Sequence, residues 1–256
     1  MKPPLLARFA PILLLLSIAC EGRKKSTFQL PPDLGKGLSP ADSLQAVLHY
    51  LKGQEAYEAE TLRFHHMYEY IQTLARQKPD TLPALVQALR SWAQKSQYPL
   101  GEGVATLGEA VGLRSQGQYD SALSRAQTAL RIFQEKERSD YEGKTYHLIG
   151  LIHQDQERTA EALQAYQKAF TIFERIGDQQ GIANCHHNFG NIHYAQGRYA
   201  EALEAFQKAL IIRERIGDQR GIADCYNNIG VINIAQGQYD SALSRAQVAL
   251  KIFQEK

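Results

Sequence analysis

GQYDSALSRAQTALRIFQEK at 117–136 and GQYDSALSRAQVALKIFQEK at 237–256 agree at 18 of 20 positions. ERIGDQQGIANC at 174–185 and ERIGDQRGIADC at 214–225 repeat a second segment almost as closely. Chance does not produce such pairs, so the chain carries an internal duplication, and a period of 20–50 residues points to a stacked array. Alignment at a period of 40 divides 101–256 into four units.

Each unit splits into two helical patterns, A and B. In the third unit A covers roughly 178–195 and B roughly 199–215, with Gly197 at the turn. Gly177-Asp178 supplies a helix stop followed by an N-cap, and Gly217-Asp218 does the same one unit later. Two helices that cross closely need small residues at the crossing. Helix A offers Ala110, Gly150, Gly190 and Gly230; helix B offers Ala122/Ala129, Ala162/Ala169, Ala202/Ala209 and Ala242/Ala249. Tyr119, Tyr199 and Tyr239 open helix B, and Leu123, Leu163, Leu203 and Leu243 follow as core.

A small residue, a Gly turn, Tyr, then two Ala seven apart resembles the tetratricopeptide repeat (TPR). With Asn-x-Gly in helix A, Gly-Asp between units and a 40-residue period, the chain is similar to spindle-orientation adaptors of the Pins type and to bacterial TPR lipoproteins. The resemblance implies an all-α fold, a right-handed superhelix of antiparallel helix pairs. The first unit departs from the pattern at Glu109 and Gly112, which are apolar positions elsewhere. Tyr166 and Phe206 of the middle units become Ala126 and Ala246 in the outer ones.

The resemblance also implies a concave groove lined by the A helices, which binds a protein or peptide segment. Carried over by position, the groove takes Lys144, His147, Leu148, Leu151 and Gln154 from the second unit. The third gives Asn184, His187, Asn188, Asn191 and Tyr194; the fourth gives Asp224, Asn227, Asn228, Val231 and Ile234. Asparagine competes with the helix backbone for hydrogen bonds, so five at the groove positions of two A helices need a reason. An amide offers a donor and an acceptor to an extended ligand backbone. Asn188 and Asn228 can equally cap or bridge neighbouring repeats. A ring of cations for a C-terminal carboxylate is missing, since only Lys144 is basic and Asp224 opposes an anion.

The start of the chain has a different character. Lys2 and Arg8 precede an apolar run from Phe9 to Ala19, too short for the about 20 residues a bilayer span needs. This reads as a signal peptide over 1–19. Leu16-Ser17-Ile18-Ala19-Cys20 resembles the lipobox of bacterial lipoproteins, departing at Ser17. That implies an acylated Cys20, membrane anchoring, and a place in the cell envelope facing the periplasm or surface. Residues 20–38 then read as a tether, and 39–100 as a helical region opened by Ser39 and Pro40, holding at most a degenerate repeat.

Composition closes off other classes. With 29 Lys and Arg against 27 Asp and Glu, no basic stripe argues for nucleic acid. No phosphate loop, nucleophile elbow or HExxH is present, so the expected function is non-enzymatic and without cofactor. His186, His187 and His193 lack metal spacing, and Tyr146 and Tyr226 at the positions matching His186 argue for packing. Cys185 and Cys225 sit at equivalent places, where packed helices stand roughly 9–10 Å apart. A disulfide needs Cα atoms within about 7 Å, so two buried thiols are expected. Ending on a B helix leaves Leu250, Ile252 and Phe253 without a capping helix, which allows self-association through an open last repeat. The main functional expectation is an exported interaction adaptor. The alternative is the sensor portion of a longer kinase or transcription regulator, and an enzyme built on 40–100 is the third class considered.

Overall fold

The computed structural model describes residues 71, 82–95 and 99–254. The signal peptide, Cys20, the tether and residues 39–70, 72–81 and 96–98 of the helical region expected over 39–100 lie outside the described residues. Nine helices follow one another among them: α1 (Leu82–Lys95), α2 (Pro99–Ser115), α3 (Tyr119–Glu135), α4 (Ser139–Asp155), α5 (Thr159–Ile176), α6 (Gln179–Ala195), α7 (Tyr199–Ile216), α8 (Gln219–Ala235) and α9 (Tyr239–Gln254). No strand occurs among the described residues. The chain forms two compact units that divide between Ile132 and Phe133, inside α3.

In the first unit, Leu82, Val86, Leu89 and Ala93 recur at helical spacing and bury one face of α1. That face packs on α2. The departures of the first repeat find their cause here. A Cβ on Gly112 would meet Leu82 Cδ2 at 2.9 Å, and one on Gly108 would meet Ile71 Cδ1 at 2.8 Å. Glu109 accepts from Arg90 Nη2 at 2.9 Å and meets Arg125 Nε at 3.2 Å, so its charge is paired. Helix α2 is therefore fitted to the helix before it, and the repeat pattern yields at those positions.

In the second unit, α4 packs on α5, α6 on α7 and α8 on α9, while α5 meets α6 and α7 meets α8. This is the tandem packing of a solenoid, where each pair buries its core against its neighbours. The links follow from sequence. Gly177 and Gly217 end α5 and α7 at φ 73° and 75°. Asp178 and Asp218 then cap the next helix, accepting from the backbone N–H of Gly181 at 3.0 Å and of Gly221 at 2.9 Å.

The helix-A glycines serve a purpose other than close backbone crossing. A Cβ on Gly150 would stand 2.5 Å from the Tyr166 ring, and one on Gly190 would stand 2.7 Å from Phe206. Each glycine thus makes room for an aromatic ring from helix B. Tyr166 goes on to pack with Ala162 and Ile192, and Phe206 with Ala202, Ile229 and Ile232. The first repeat solves the same contact with Ala110 and Ala126, both fully buried. In the last repeat Ala246 replaces the ring while Gly230 remains, and the nearest atoms to a Cβ there are 3.6 Å away.

Two turn and helix positions therefore carry removable cost. Glu157 adopts φ 61° where Gly117, Gly197 and Gly237 stand in other repeats. A side chain there costs about 1–2 kcal/mol. We expect Glu157→Gly to raise unfolding stability by about 1 kcal/mol, and Gly230→Ala to add roughly 0.5–1 kcal/mol as a helix-interior alanine with space around it. Chemical denaturation midpoints at constant slope check both.

Candidate functional site: the face shared by the A helices

Residues spaced three and four apart share one face of a helix. On α6 that face carries Asn184, His187, Asn188 and Asn191, and α4 and α8 present the matching positions. The structure ties these helices together across it. Asn188 Nδ2 lies 2.8 Å from His147 Nε2, and Asn228 Nδ2 lies 3.3 Å from His187 Nε2, each joining one A helix to the next. Asn188 is 7% exposed, so it bridges repeats and leaves little for a ligand. Of the two readings of that residue, bridging is the one its contacts fit.

The other expected groove residues divide in the same way. Lys144 Nζ lies 5.3 Å over the Tyr141 ring. Gln154 accepts from the Tyr166 hydroxyl at 2.7 Å, which occupies its oxygen. Leu148 is 2% exposed and belongs to the core, a correction to its placement on the groove. Leu151 packs with Tyr166 and Ile192. Asn191 and Asp224 are half-buried and Asn227 is exposed. Tyr194, Val231 and Ile234 are exposed, at 37%, 43% and 55%. The Tyr194 ring leans on Tyr199, with centroids 5.8 Å apart.

The residue that sequence reading missed is Arg213. It is 5% exposed, near the end of α7, and reaches into the seam between α6 and α8. Nη1 donates one hydrogen to the Gly221 carbonyl at 2.8 Å and directs the other between Cys225 Sγ and His187 Nδ1, each 3.3 Å away. Nη2 donates to Asn184 Oδ1 at 3.3 Å. Nε makes no hydrogen bond among the described residues, and Asp218 Oδ2 is 3.7 Å away. A signal was present in the repeat itself: Phe133, Phe173 and Phe253 occupy the equivalent positions. Phe173 lies against Gly181 as Arg213 lies against Gly221, whose Cβ would come 2.6 Å from Nε. The fourth repeat thus accepts a guanidinium in a space shaped for a ring.

Electrostatics follow from this burial. Desolvation first, then the charges of Arg213 and His147, pull the His187 pKa down to about 4, so the ring is neutral. Burial pushes the Cys185 thiol up to about 12, and Cys225 is raised chiefly by burial too. Both cysteines are free and buried, as their spacing predicts. His186 packs edge-on against Phe170 at 5.2 Å, and His187 against Phe206 at 5.3 Å. Among the described residues no group of three His, Cys, Asp or Glu side chains is placed to hold a metal ion.

Comparison with solved structures gives the same architecture. BtubC (BKLC) from P. vanneervenii aligns at a TM-score of 0.56 and 20% identity, covering 79% of this chain and 92% of that one. The apo form of RapI aligns at 0.57 and 17%, covering 83% and 59%. A Podosopora anserina putative kinesin light chain with nearly identical TPR-like repeats aligns at 0.51 and 15%, covering 75% and 96%. At these identities the likeness is one of fold. Among curated proteins none matches the chain. The family model for the tetratricopeptide repeat matches residues 104–175 and 178–255, more than half of the chain. With its stacked helix pairs, glycine-stopped links and bridged A helices, this chain belongs to the tetratricopeptide repeat family, an all-α solenoid built as a protein-interaction scaffold.

Proposed function

We propose that this chain is an exported, lipid-anchored adaptor without catalytic activity, which captures an extended segment of another protein along the A-helix face of its repeats. The observation that carries this reading is the pairing of unused polar ends with exposed apolar side chains on one face. The side chains of Asn191 and Asn227 make no hydrogen bond among the described residues, and each bridging or buttressed amide at Asn228 and Asn184 keeps one end unpartnered. Tyr194, Val231 and Ile234 follow at steps of three or four residues along the same helices and are exposed. Unpaired amide groups suit the carbonyl and N–H groups of an extended backbone, and apolar side chains supply pockets for its residues. Anchoring rests on the lipobox-like segment ending at Cys20. No helix among the described residues is long and apolar enough to cross a membrane. Leu243, expected in the core, is instead 60% exposed on α9, and with Leu250 at 55% it suits self-association with another copy.

Capture from a detergent-solubilised envelope fraction tests the reading. The native chain is expected to retain a discrete partner, and an Asn191→Ala, Asn228→Ala, Ile234→Ala variant of equal helicity to lose at least tenfold of it. Labelled fatty acid is expected to enter the native chain and not Cys20→Ala. Equal capture by both chains contradicts the adaptor face, and equal labelling contradicts the anchor.

A further inference from the structure

Arginine donates hydrogen bonds from five N–H groups and accepts none. A neutral imidazole carries a proton on one nitrogen only, and the partner of the other nitrogen decides which. With Arg213 Nη1 3.3 Å from His187 Nδ1, that nitrogen must present its lone pair, so Nε2 carries the hydrogen. The Asn228 amide meets Nε2 at 3.3 Å. Two N–H groups do not face one another, and an amide's oxygen and nitrogen exchange places by a half-turn about its terminal torsion. Asn228 therefore offers its oxygen to Nε2–H and directs its NH2 group away from the seam.

Asn184 is fixed by the same guanidinium. Its Oδ1 accepts from Arg213 Nη2 and from Gln180 Nε2, both at 3.3 Å, which leaves its NH2 group turned outward. The charge of Arg213 is only loosely matched, because Asp218 is already occupied. Its Oδ1 caps Gly221, and its Oδ2 accepts from Gln180 at 3.2 Å. Asp224, half-buried one turn before Asn228, sets an anion at a disadvantage on this face. The corresponding step between α4 and α6 holds Phe173, which offers no hydrogen bond.

We propose that Arg213 is the specificity-determining residue of the α6–α8 step: by holding Asn184 Oδ1 and His187 Nδ1 it turns the amide N–H groups of Asn184 and Asn228 outward, so this step reads a neutral carbonyl oxygen of the ligand backbone. This rests on the A-helix face being the ligand face, and it assigns that face a polarity and a direction. A ligand segment must bring a carbonyl, rather than an N–H, to this step. A retained buried charge at a position where the repeat uses Phe fits such a role, since an apolar residue packed there is often neutral or stabilising.

The test is imidazole and side-chain amide NMR on the full, isotopically labelled chain at pH 7, with no ligand. Native His187 is expected to be the Nε2–H tautomer, with Nδ1 unprotonated. In Arg213→Phe, where Gly221 leaves room for the ring, the Nδ1–H tautomer is expected to become populated. Adding N-methylacetamide as a carbonyl probe is expected to shift the Asn184 and Asn228 side-chain N–H signals in the native chain and not in the variant. Native His187 carrying its proton on Nδ1 overturns the proposal even if the variant fails to fold. An unchanged tautomer in a folded Arg213→Phe chain, no shift with the probe, or a shift with acetate alone also overturns it. None of these outcomes depends on capture from the envelope fraction, so the two readings fail separately.

Discussion

Phe206→Ala is expected to lower the unfolding free energy by about 3–5 kcal/mol, and Gly190→Ala by about 1–3 kcal/mol, yet the double variant to cost clearly less than their sum. The ring of Phe206 is 1% exposed and joins Ala202, Ile229 and Ile232, so its loss empties the joint between α7 and α8. The alanine methyl at 190 would stand 2.7 Å from that ring, so it must displace a buried aromatic group. Removing the ring gives the methyl a place. The double variant reproduces the Ala110 and Ala126 pair that the first repeat already uses. A coupling above about 1 kcal/mol, read from urea titrations of all four proteins, is the expected outcome, since touching residues couple by about 0.5–3 kcal/mol. Strict additivity would mean that the ring and the glycine are not fitted to one another.

The second large effect is on pH dependence. His187 binds its proton near pH 6.5 when unfolded and only near about 4 in the folded chain. Between those values the unfolded chain holds more protons, so stability rises with pH. The contribution is complete above pH 6.5, declines as pH falls toward about 4, and is absent below that. A shift of this size corresponds to something on the order of 3 kcal/mol. Protonation would set an imidazolium 3.3 Å from the Arg213 guanidinium, with His147 on the neighbouring helix adding to the repulsion. His187→Gln is expected to flatten this part of the profile, visible as a smaller loss of stability between about pH 7 and 4 than in the native chain. Groups that do not interact with His187 affect both proteins alike, so the difference reports His187 together with its coupling to His147. Parallel profiles would place the ring in a far more hydrated setting.

How much of this was legible in the sequence depends on whether a feature repeats. The Gly177-Asp178 and Gly217-Asp218 links could be read directly, because helix stops and N-caps act through local backbone geometry. The buried thiols could be read from spacing alone. The small residues of helix A were visible, but their purpose was not. Period and composition do not say whether a glycine admits a backbone or a ring, and only Tyr166 and Phe206 in place reveal it. Leu148 was misplaced because its repeat position, shared with Asn188 and Asn228, lies in the seam between A helices, where an apolar side chain is buried and an amide bridges. Glu109 was legible as an anomaly, while its partners Arg90 and Arg125 come from helices on either side of it in sequence. Arg213 was in plain view as a break in a column of phenylalanines. It escaped notice because helix B was read for packing, whereas its side chain reaches across to the A helices.

The most direct test of the account is site-specific photo-crosslinking in envelope preparations with benzoylphenylalanine at single positions. Placed at Asn191, on the face shared by the A helices, the probe is expected to join the chain to a discrete partner. Placed at Gln207, exposed on α7, it is expected to give none. Crosslinks from Gln207 with Asn191 silent would contradict the claim that this solenoid works through its A-helix face.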